Sequence, residues 1–265
     1  MNRIIAAALF ALISSHSFAD QAPPKKVESC ASEVPYGMPS VHKDHSVICR
    51  SGYILSHDPE AKIPAWVAWT LVQSDSLSCL PRNDAFATDQ SLPEGKRATP
   101  QDYAGSGYDQ GHLAPNAEMS YDPQVARESF IMSNMSPQLP QVNRGTWKTL
   151  ESTERSFVYN TGHAVTIYAG NIYTKESKTI GKNKVVVPDQ LFKIIIDDTD
   201  KVSYAFIFPN VVNIDQDFNK YQVTVADIEK ATGTTFPTPD NKSTKRSFPT
   251  VDLNKIVIDK KAKCK

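Results

Sequence analysis

The chain has 265 residues, 29 basic and 29 acidic side chains, 40% hydrophobic residues and four cysteines. This profile excludes a disordered chain, a collagen-like repeat and a disulfide-rich miniprotein, and it fits a globular protein able to bury its own core. The absence of net charge argues against a polybasic coat protein, whose grip on phosphates needs a large excess of Lys and Arg.

Residues 1–19 read as a secretory signal. Arg3 supplies a short positive region, Ile4 to Ile13 form an apolar run too short to span a bilayer, and Ser17-Phe18-Ala19 ends in a small-x-small cleavage pattern. Removal of this leader takes away Arg3 and no acid, so the mature chain carries one net negative charge. No later segment approaches a membrane span, so stable membrane insertion is not expected. Export to the periplasm or beyond is expected, and it puts Cys30, Cys49, Cys79 and Cys264 in an oxidising compartment, where two disulfides are the default. Four cysteines allow three pairings, and the sequence does not choose among them.

Residues 20–45 are polar and Pro-rich and read as an extended lead-in to a single domain over 46–265. Ser46 to Leu55 and Ala65 to Gln73 are β-type segments that form a hairpin around Asp58-Pro59; in the second, Trp66, Ala68 and Thr70 alternate with Val67, Trp69 and Leu71. Asp75 to Ser106 is rich in Pro, Gly, Asp and Ser and reads as a long surface loop, a feature that is usually functional. Asp122-Pro123 opens a short helix running to Met132, with Pro at its first position. A longer helix is expected from Val142 to Tyr159, with Trp147, Leu150, Phe157 and Val158 on one face and Gly162 as its stop. Three strands follow, Val165 to Ile172, Val185 to Ile196 (interrupted at Pro188) and Val202 to Phe208. Thr224 then caps a last short helix that ends before Gly233. This mixed order favours an α+β domain with a largely antiparallel sheet.

One stretch carries chemistry. Tyr108-Asp109-Gln110-Gly111-His112-Leu113-Ala114-Pro115 is followed by Ser133-Asn134-Met135-Ser136-Pro137-Gln138 and by Asn143-Arg144-Gly145-Thr146-Trp147-Lys148-Thr149-Leu150-Glu151. Gly111 lets backbone pass close to a ligand beside His112, and Asp109 is placed to orient the His112 loop. On a continuous helix Asn143 and Glu151 are separated by about 12 Å along the axis and by roughly 80° around it. They therefore act on one hydrated ion rather than jointly on a bare one, Asn143 directly and Glu151 through a bound water. Such a pair suits Mg²⁺, which prefers oxygen ligands and keeps several waters.

These blocks, with Tyr168-Ala169-Gly170 and the stretch from Val223 to Lys230, resemble the DNA/RNA non-specific endonuclease family. Its members include secreted bacterial nucleases and mitochondrial endonuclease G. The resemblance runs from about Ile54 to Phe236. It implies a ββα-metal (His-Me finger) catalytic motif and a Mg²⁺-dependent phosphodiesterase, with Mn²⁺ as a substitute ion, acting on DNA and RNA to leave 5′-phosphates. By the same resemblance His112 is the general base, Asn143 the direct metal ligand, Glu151 the holder of metal-bound water, and Arg82 and Arg155 clamp the phosphate.

The sequence departs from the family at Gln110, where many members have Arg. Gln donates hydrogen bonds but brings no charge, which leaves Arg144, Lys148 and Arg155 as local cations for the phosphate. This departure leaves open a nuclease-like nucleic-acid or protein binding module with weakened catalysis; a phosphodiesterase for small nucleotides is a second alternative. Asn143 also suits a helix cap, Asn134 reads as structural, and Trp147 reads as core. His42 and His45 lack the accompanying ligands of a metal site. The lysines of the tail, Lys255, Lys260, Lys261, Lys263 and Lys265, read as a solvated terminus or as added attraction for nucleic acid. Oligomeric state leaves no readable trace.

Overall fold

A computed structural model describes residues 21–264; the leader read at 1–19 lies outside the described residues. The chain folds around a seven-stranded antiparallel sheet. Its strands are β1 (Ser46–Cys49), β2 (Ile54–Asp58), β3 (Ile63–Leu71), β6 (Val165–Ile172), β9 (Gln190–Asp197), β10 (Val202–Pro209) and β11 (Gln222–Val223), in that spatial order. Between β3 and β6 the chain forms a separate two-stranded unit, β4 (Asp109–His112) with β5 (Met135–Gln138). A second small pair, β7 (Thr179–Ile180) and β8 (Val185–Val186), precedes β9.

Period-two alternation decides the layers. Val67, Trp69 and Leu71 of β3 join Val165, Ile167, Ala169, Leu191, Ile195 and Phe206 on one side. Trp66, Ala68, Tyr168, Phe192, Ile194 and Ala205 face the other. Helix α4 (Lys148–Thr161) covers the first side, burying Leu150, Phe157 and Val158 beside Trp147. Helix α5 (Val225–Thr232) covers the second through Val225 and Ile228. Its start is a capping box in which Thr224 and Asp227 satisfy each other's backbone N–H groups, and Gly233 ends it in the left-handed conformation. The other helices are short connectors, α1 (Pro100–Tyr103), α2 (Asn116–Met119) and α3 (Pro123–Glu128), apart from a C-terminal α6 (Leu253–Lys263).

Several expectations hold closely. The strand Val165–Ile172 has the bounds read from the sequence, Pro188 does separate β8 from β9, and Gly162 closes α4 with φ of 77°. Others need correction. Ser46 to Leu55 is not one strand: it folds back between Arg50 and Tyr53, so β1 and β2 already form a hairpin before the turn at Asp58. Arg50 is drawn inward at that turn, with its Nη2 2.8 Å from both oxygens of the buried Asp89. This pair, with Ser133 Oγ donating to Asp89 at 2.6 Å, pins the middle of the long 75–106 segment to the domain. Helix α3 ends at Glu128, short of Met132, although Asp122 caps it and Pro123 opens it as expected.

The expected helix from Val142 is also different. Residues Val142–Trp147 form a wide π-type turn with a kink at Gly145 (φ −108°, ψ −115°), and the regular α-helix begins only at Lys148. The Gln216 side chain occupies the space a Cβ at Gly145 would need, with Oε1 2.1 Å from that point. Asn143 therefore stands in a turn before the helix, and the eight-residue helical spacing to Glu151 does not apply.

Within the lead-in, Val27–Glu33 coils into 3-10 turns that bury Cys30 against β1, where it is disulfide-bonded to Cys49. Cys79 pairs with Cys264.

Candidate active site

The site is assembled from β4, β5, the π-type turn and the first half of α4, a ββα arrangement. His112 ends β4, opposite Met135. Gly111 serves this pairing rather than a ligand: a Cβ there would fall 2.3 Å from the Gln138 side chain, which crosses the strand at that point. The chain after His112 is stapled by Asn134, whose Oδ1 accepts from Ala114 N at 3.0 Å while its Nδ2 donates to the Ala114 and Ser129 carbonyls, each at 2.9 Å. The structural reading of Asn134 is thus its actual role.

The His112 ring lies 8% exposed, edge-on to Phe130 (centroids 4.9 Å apart) and tilted on Phe86 (5.7 Å). Burial, helped by the nearby Arg82 cation, pushes its pKa down to about 3, so the imidazole is neutral across the physiological range. Its Nε2 has no hydrogen-bond partner among the described residues. A neutral imidazole on a residue that lines the cleft is competent to take a proton.

The remaining sequence-predicted residues converge on the same place. Arg82, Asp109, Gln110, Asn143, Arg144, Lys148, Glu151 and Arg155 line, with His112, one open cleft of about 700 Å³. Arg82 pairs with Asp84 (2.7 Å) and stacks its guanidinium 5.2 Å from the Phe130 ring centre, on the aromatic group that also holds His112. Asp109 does not orient the His112 loop as expected. Its Oδ2 accepts from Asn143 Nδ2 at 2.8 Å, and Arg144 closes on both carboxylate oxygens (2.8 and 2.6 Å). Alternation explains this: Asp109 and His112 are three apart on a strand and point to opposite faces. The contact also shows that Asn143 is not a helix cap, and it leaves the Asn143 carbonyl oxygen as the atom free for a metal.

Sequence reasoning missed a buried charged layer beneath the cleft. Glu118 and Glu154 are buried, and so is Lys193, whose Nζ donates to Glu154 Oε2 at 3.1 Å and lies 4.5 Å from the Trp147 ring centre. Glu118 accepts from the Trp69 indole N–H at 2.7 Å and lies 3.7 Å from Arg155 Nη1. Burial raises the pKa of Glu118, Glu151 and Glu154; for Glu118 the charge of Glu154 adds to it, and Lys193 and Arg155 offset part of the rise in all three. The layer supports Arg155 and Glu151 from below. A signal for it existed: Glu154 sits seven residues after Trp147 on the same apolar stripe, and Lys193 interrupts an otherwise apolar strand.

The donor set suits Mg²⁺: a free amide oxygen at Asn143, a half-buried carboxylate at Glu151 and a polar, open cleft that admits water. Among the described residues, the tightest grouping of metal-type side chains is elsewhere, where His163, Asp197 and Asp200 meet beyond the C-terminal end of α4. It lines no part of the cleft.

A sequence profile described as DNA/RNA non-specific endonuclease matches residues 34–243, most of the chain. The protein belongs to that endonuclease family. A nuclease of Nostoc sp. is 34% identical over 208 residues, 73% of this chain and 73% of its own length. Mitochondrial endonuclease G of Bos taurus is 30% identical over 216 residues, 76% of this chain and 71% of that protein. Among solved structures, that of the EndoG/EndoGI complex, which concerns EndoG inhibition, aligns with a TM-score of 0.71 at 28% identity, covering 80% of this chain and 92% of that one. The endonuclease thus shares its ββα-metal fold with EndoG. It is a phosphodiester hydrolase of a family that acts on nucleic acid. Its two disulfides fit an oxidising compartment, and among the described residues no helix is long and apolar enough to cross a membrane.

Proposed function

We propose that the protein is an exported, Mg²⁺-dependent endonuclease that cuts DNA and RNA with little sequence preference and leaves 5′-phosphates. The observation that carries this reading is the meeting of a neutral, unpartnered His112 with Asn143, Glu151 and four cations in one cleft. His112 takes the proton of the attacking water on its neutral imidazole. Asn143, held by Asp109, would be the direct ligand of Mg²⁺, and Glu151 would hold water in the ion's shell. When bound, the ion supplies charge stabilisation at the phosphate and the leaving oxygen. Arg82 and Arg155 hold the non-bridging oxygens by charge-assisted hydrogen bonds. Contacts to phosphate carry no base information, which accounts for indifference to sequence and to sugar. Export rests on the 1–19 leader and is consistent with paired cysteines; periplasm and medium fit equally.

Purified mature protein incubated with supercoiled plasmid and with RNA, in Mg²⁺ or in EDTA, tests the proposal. Cleavage of both polymers that EDTA abolishes is expected. Failure to cleave either polymer with Mg²⁺ present would sink it, and cleavage of small diesters alone would point to a nucleotide phosphodiesterase.

A further inference from the structure

Helix α6 lies wholly beyond the stretch that matches the family, which ends at residue 243. It contributes no buried residue to the core, and Leu253, Val257 and Ile258 are exposed. Apolar burial therefore does not explain why it is held. Two tethers hold it. Cys264, just after its last turn, is bonded to Cys79, three residues before Arg82. Along its length it packs on α4, where Asn160 Nδ2 donates to the Asp252 carbonyl at 2.8 Å and the Tyr159 hydroxyl meets Asp259 and Lys263. The Arg82 loop and α4, which carries Arg155, supply the two arginines of the cleft. Helix α6 is fastened to both.

Its charge is unbalanced. Lys255, Lys260, Lys261 and Lys263 are exposed, and among the described residues only Lys263 has a carboxylate partner, Asp259 at 3.3 Å. Lys255 lies over the Tyr159 ring. Lys260 stands in the field of Arg155, and that like charge adds to partial burial in lowering its pKa. Arg155 faces Glu118 at 3.7 Å, whereas Lys260 and Lys261 have no carboxylate partner among the described residues, so an anion bound on this side would supply their counter-charge.

We propose that α6 is a phosphate-binding arm, in which Lys260 and Lys261 contact backbone phosphates of the nucleic-acid strand on the Arg155 side of the scissile bond. The inference rests on the reading of the cleft as a nucleic-acid site and extends it. It also puts cationic charge near a cleft in which position 110 is neutral.

Each phosphate contact adds about 0.9 to the slope of log affinity against log salt for duplex DNA. The test is fluorescence anisotropy of a labelled 20-base-pair duplex with the full mature chain in EDTA, titrated across salt. The Lys260→Gln/Lys261→Gln protein should bind several-fold more weakly at low salt, with a slope shallower by about 2. Cys79→Ser/Cys264→Ser should weaken binding in the same direction, since the arm is no longer held at its end. Lys201→Gln/Lys230→Gln removes equal charge from the β9–β10 turn and from α5 on the opposite sheet face, and should leave the slope unchanged. Thermal melting of each variant checks folding. An unchanged slope for Lys260→Gln/Lys261→Gln, or an equal loss from the distal pair, overturns the arm. No duplex binding by the unsubstituted protein overturns the arm if the same preparation cuts plasmid with Mg²⁺, and overturns the underlying reading of the cleft if it does not.

Discussion

The Asp109 carboxylate accepts a 2.8 Å hydrogen bond from the side-chain nitrogen of Asn143, and Arg144 clamps the same carboxylate from outside. The bond fixes which end of the Asn143 amide faces Asp109 and leaves its oxygen to the cleft. Burial tends to raise the Asp109 pKa, but Arg144 and Asn143 outweigh it and hold the carboxyl below its ordinary range, so it accepts these bonds at any working pH. Groups that orient a metal ligand typically govern about 10–100-fold in affinity or activity. Asp109→Ala should therefore raise the Mg²⁺ concentration for half-maximal plasmid cleavage by about that factor. Asp109→Asn, which keeps one acceptor but loses the ion pair, should fall between. A Mg²⁺ titration of initial rates checks both, and an unshifted midpoint for Asp109→Ala would remove Asp109 from this role.

The proposed base His112 also bears on acid stability. As general base it should contribute at least about 10²-fold, so His112→Ala should lose that much turnover while keeping its near-ultraviolet circular dichroism. Its second signature is in folding. The folded imidazole resists protonation down to about 3, whereas an unfolded one takes up a proton near 6.5. Above the latter value the residue contributes no pH dependence; as pH falls from there toward 3 the unfolded chain alone binds the proton, and stability is lost. His112→Ala removes this penalty. Calorimetry from pH 7 to 4.5 should show a smaller drop in melting temperature for the variant than for the parent protein, and parallel curves would show that His112 titrates normally.

The strand pattern, the fold class and the residues of the cleft were legible because each left a local trace: alternation at Trp66 to Leu71, capping residues at Asp122 and Thr224, ordered blocks at Asp109 to Glu151. What escaped depended on partners distant in sequence. Arg50 turns inward because Asp89 waits there, and nothing near Arg50 announces it. Residues from Val142 continue the apolar spacing of a helix, while the kink at Gly145 answers to Gln216, a residue from the β10–β11 connection. Nearness in sequence suggests that Asp109 serves His112, but on a strand three residues away is the opposite face. The pairing of Cys79 with Cys264 spans 185 residues, and only the closed fold specifies it.

The buried layer under the cleft can be tested by its energetics. Lys193 sits between Trp69 and Trp147 and donates to Glu154, with no exposure on either side chain of the pair. Removal of one partner from a buried pair costs about 3–5 kcal/mol, because the other charge is left uncompensated. Lys193→Met should therefore lower unfolding free energy by that order. The Lys193→Met/Glu154→Gln protein should recover much of the loss, since both charges are gone and the volumes are kept. Urea denaturation of the two variants measures this. Equal losses would mean that packing of the Lys193 stem on the tryptophans, and not the ion pair, carries the energy.

Gln110 offers the sharpest test of how the cleft handles charge. On β4 it lies two residues from His112, hence on the same strand face, and the only hydrogen-bond contact of its side chain among the described residues is a weak one to Met132 Sδ at 4.0 Å. Asp109 points to the other face, so an arginine at 110 would not compete with Arg144 for it. A guanidinium adds charge and several donors where phosphate is expected, and charge-assisted bonds are roughly twice as strong as neutral ones. Gln110→Arg should keep or raise kcat/KM on plasmid and on RNA, with a steeper dependence on salt because one more phosphate contact is made. If Arg82, Arg155 and the lysines of α6 already saturate the phosphate, the rate will stay level while the salt slope still steepens. A fall of ten-fold or more would show instead that the amide at 110 is fitted to this cleft, and that the charge the family resemblance leads one to expect at that position has been replaced here rather than lost.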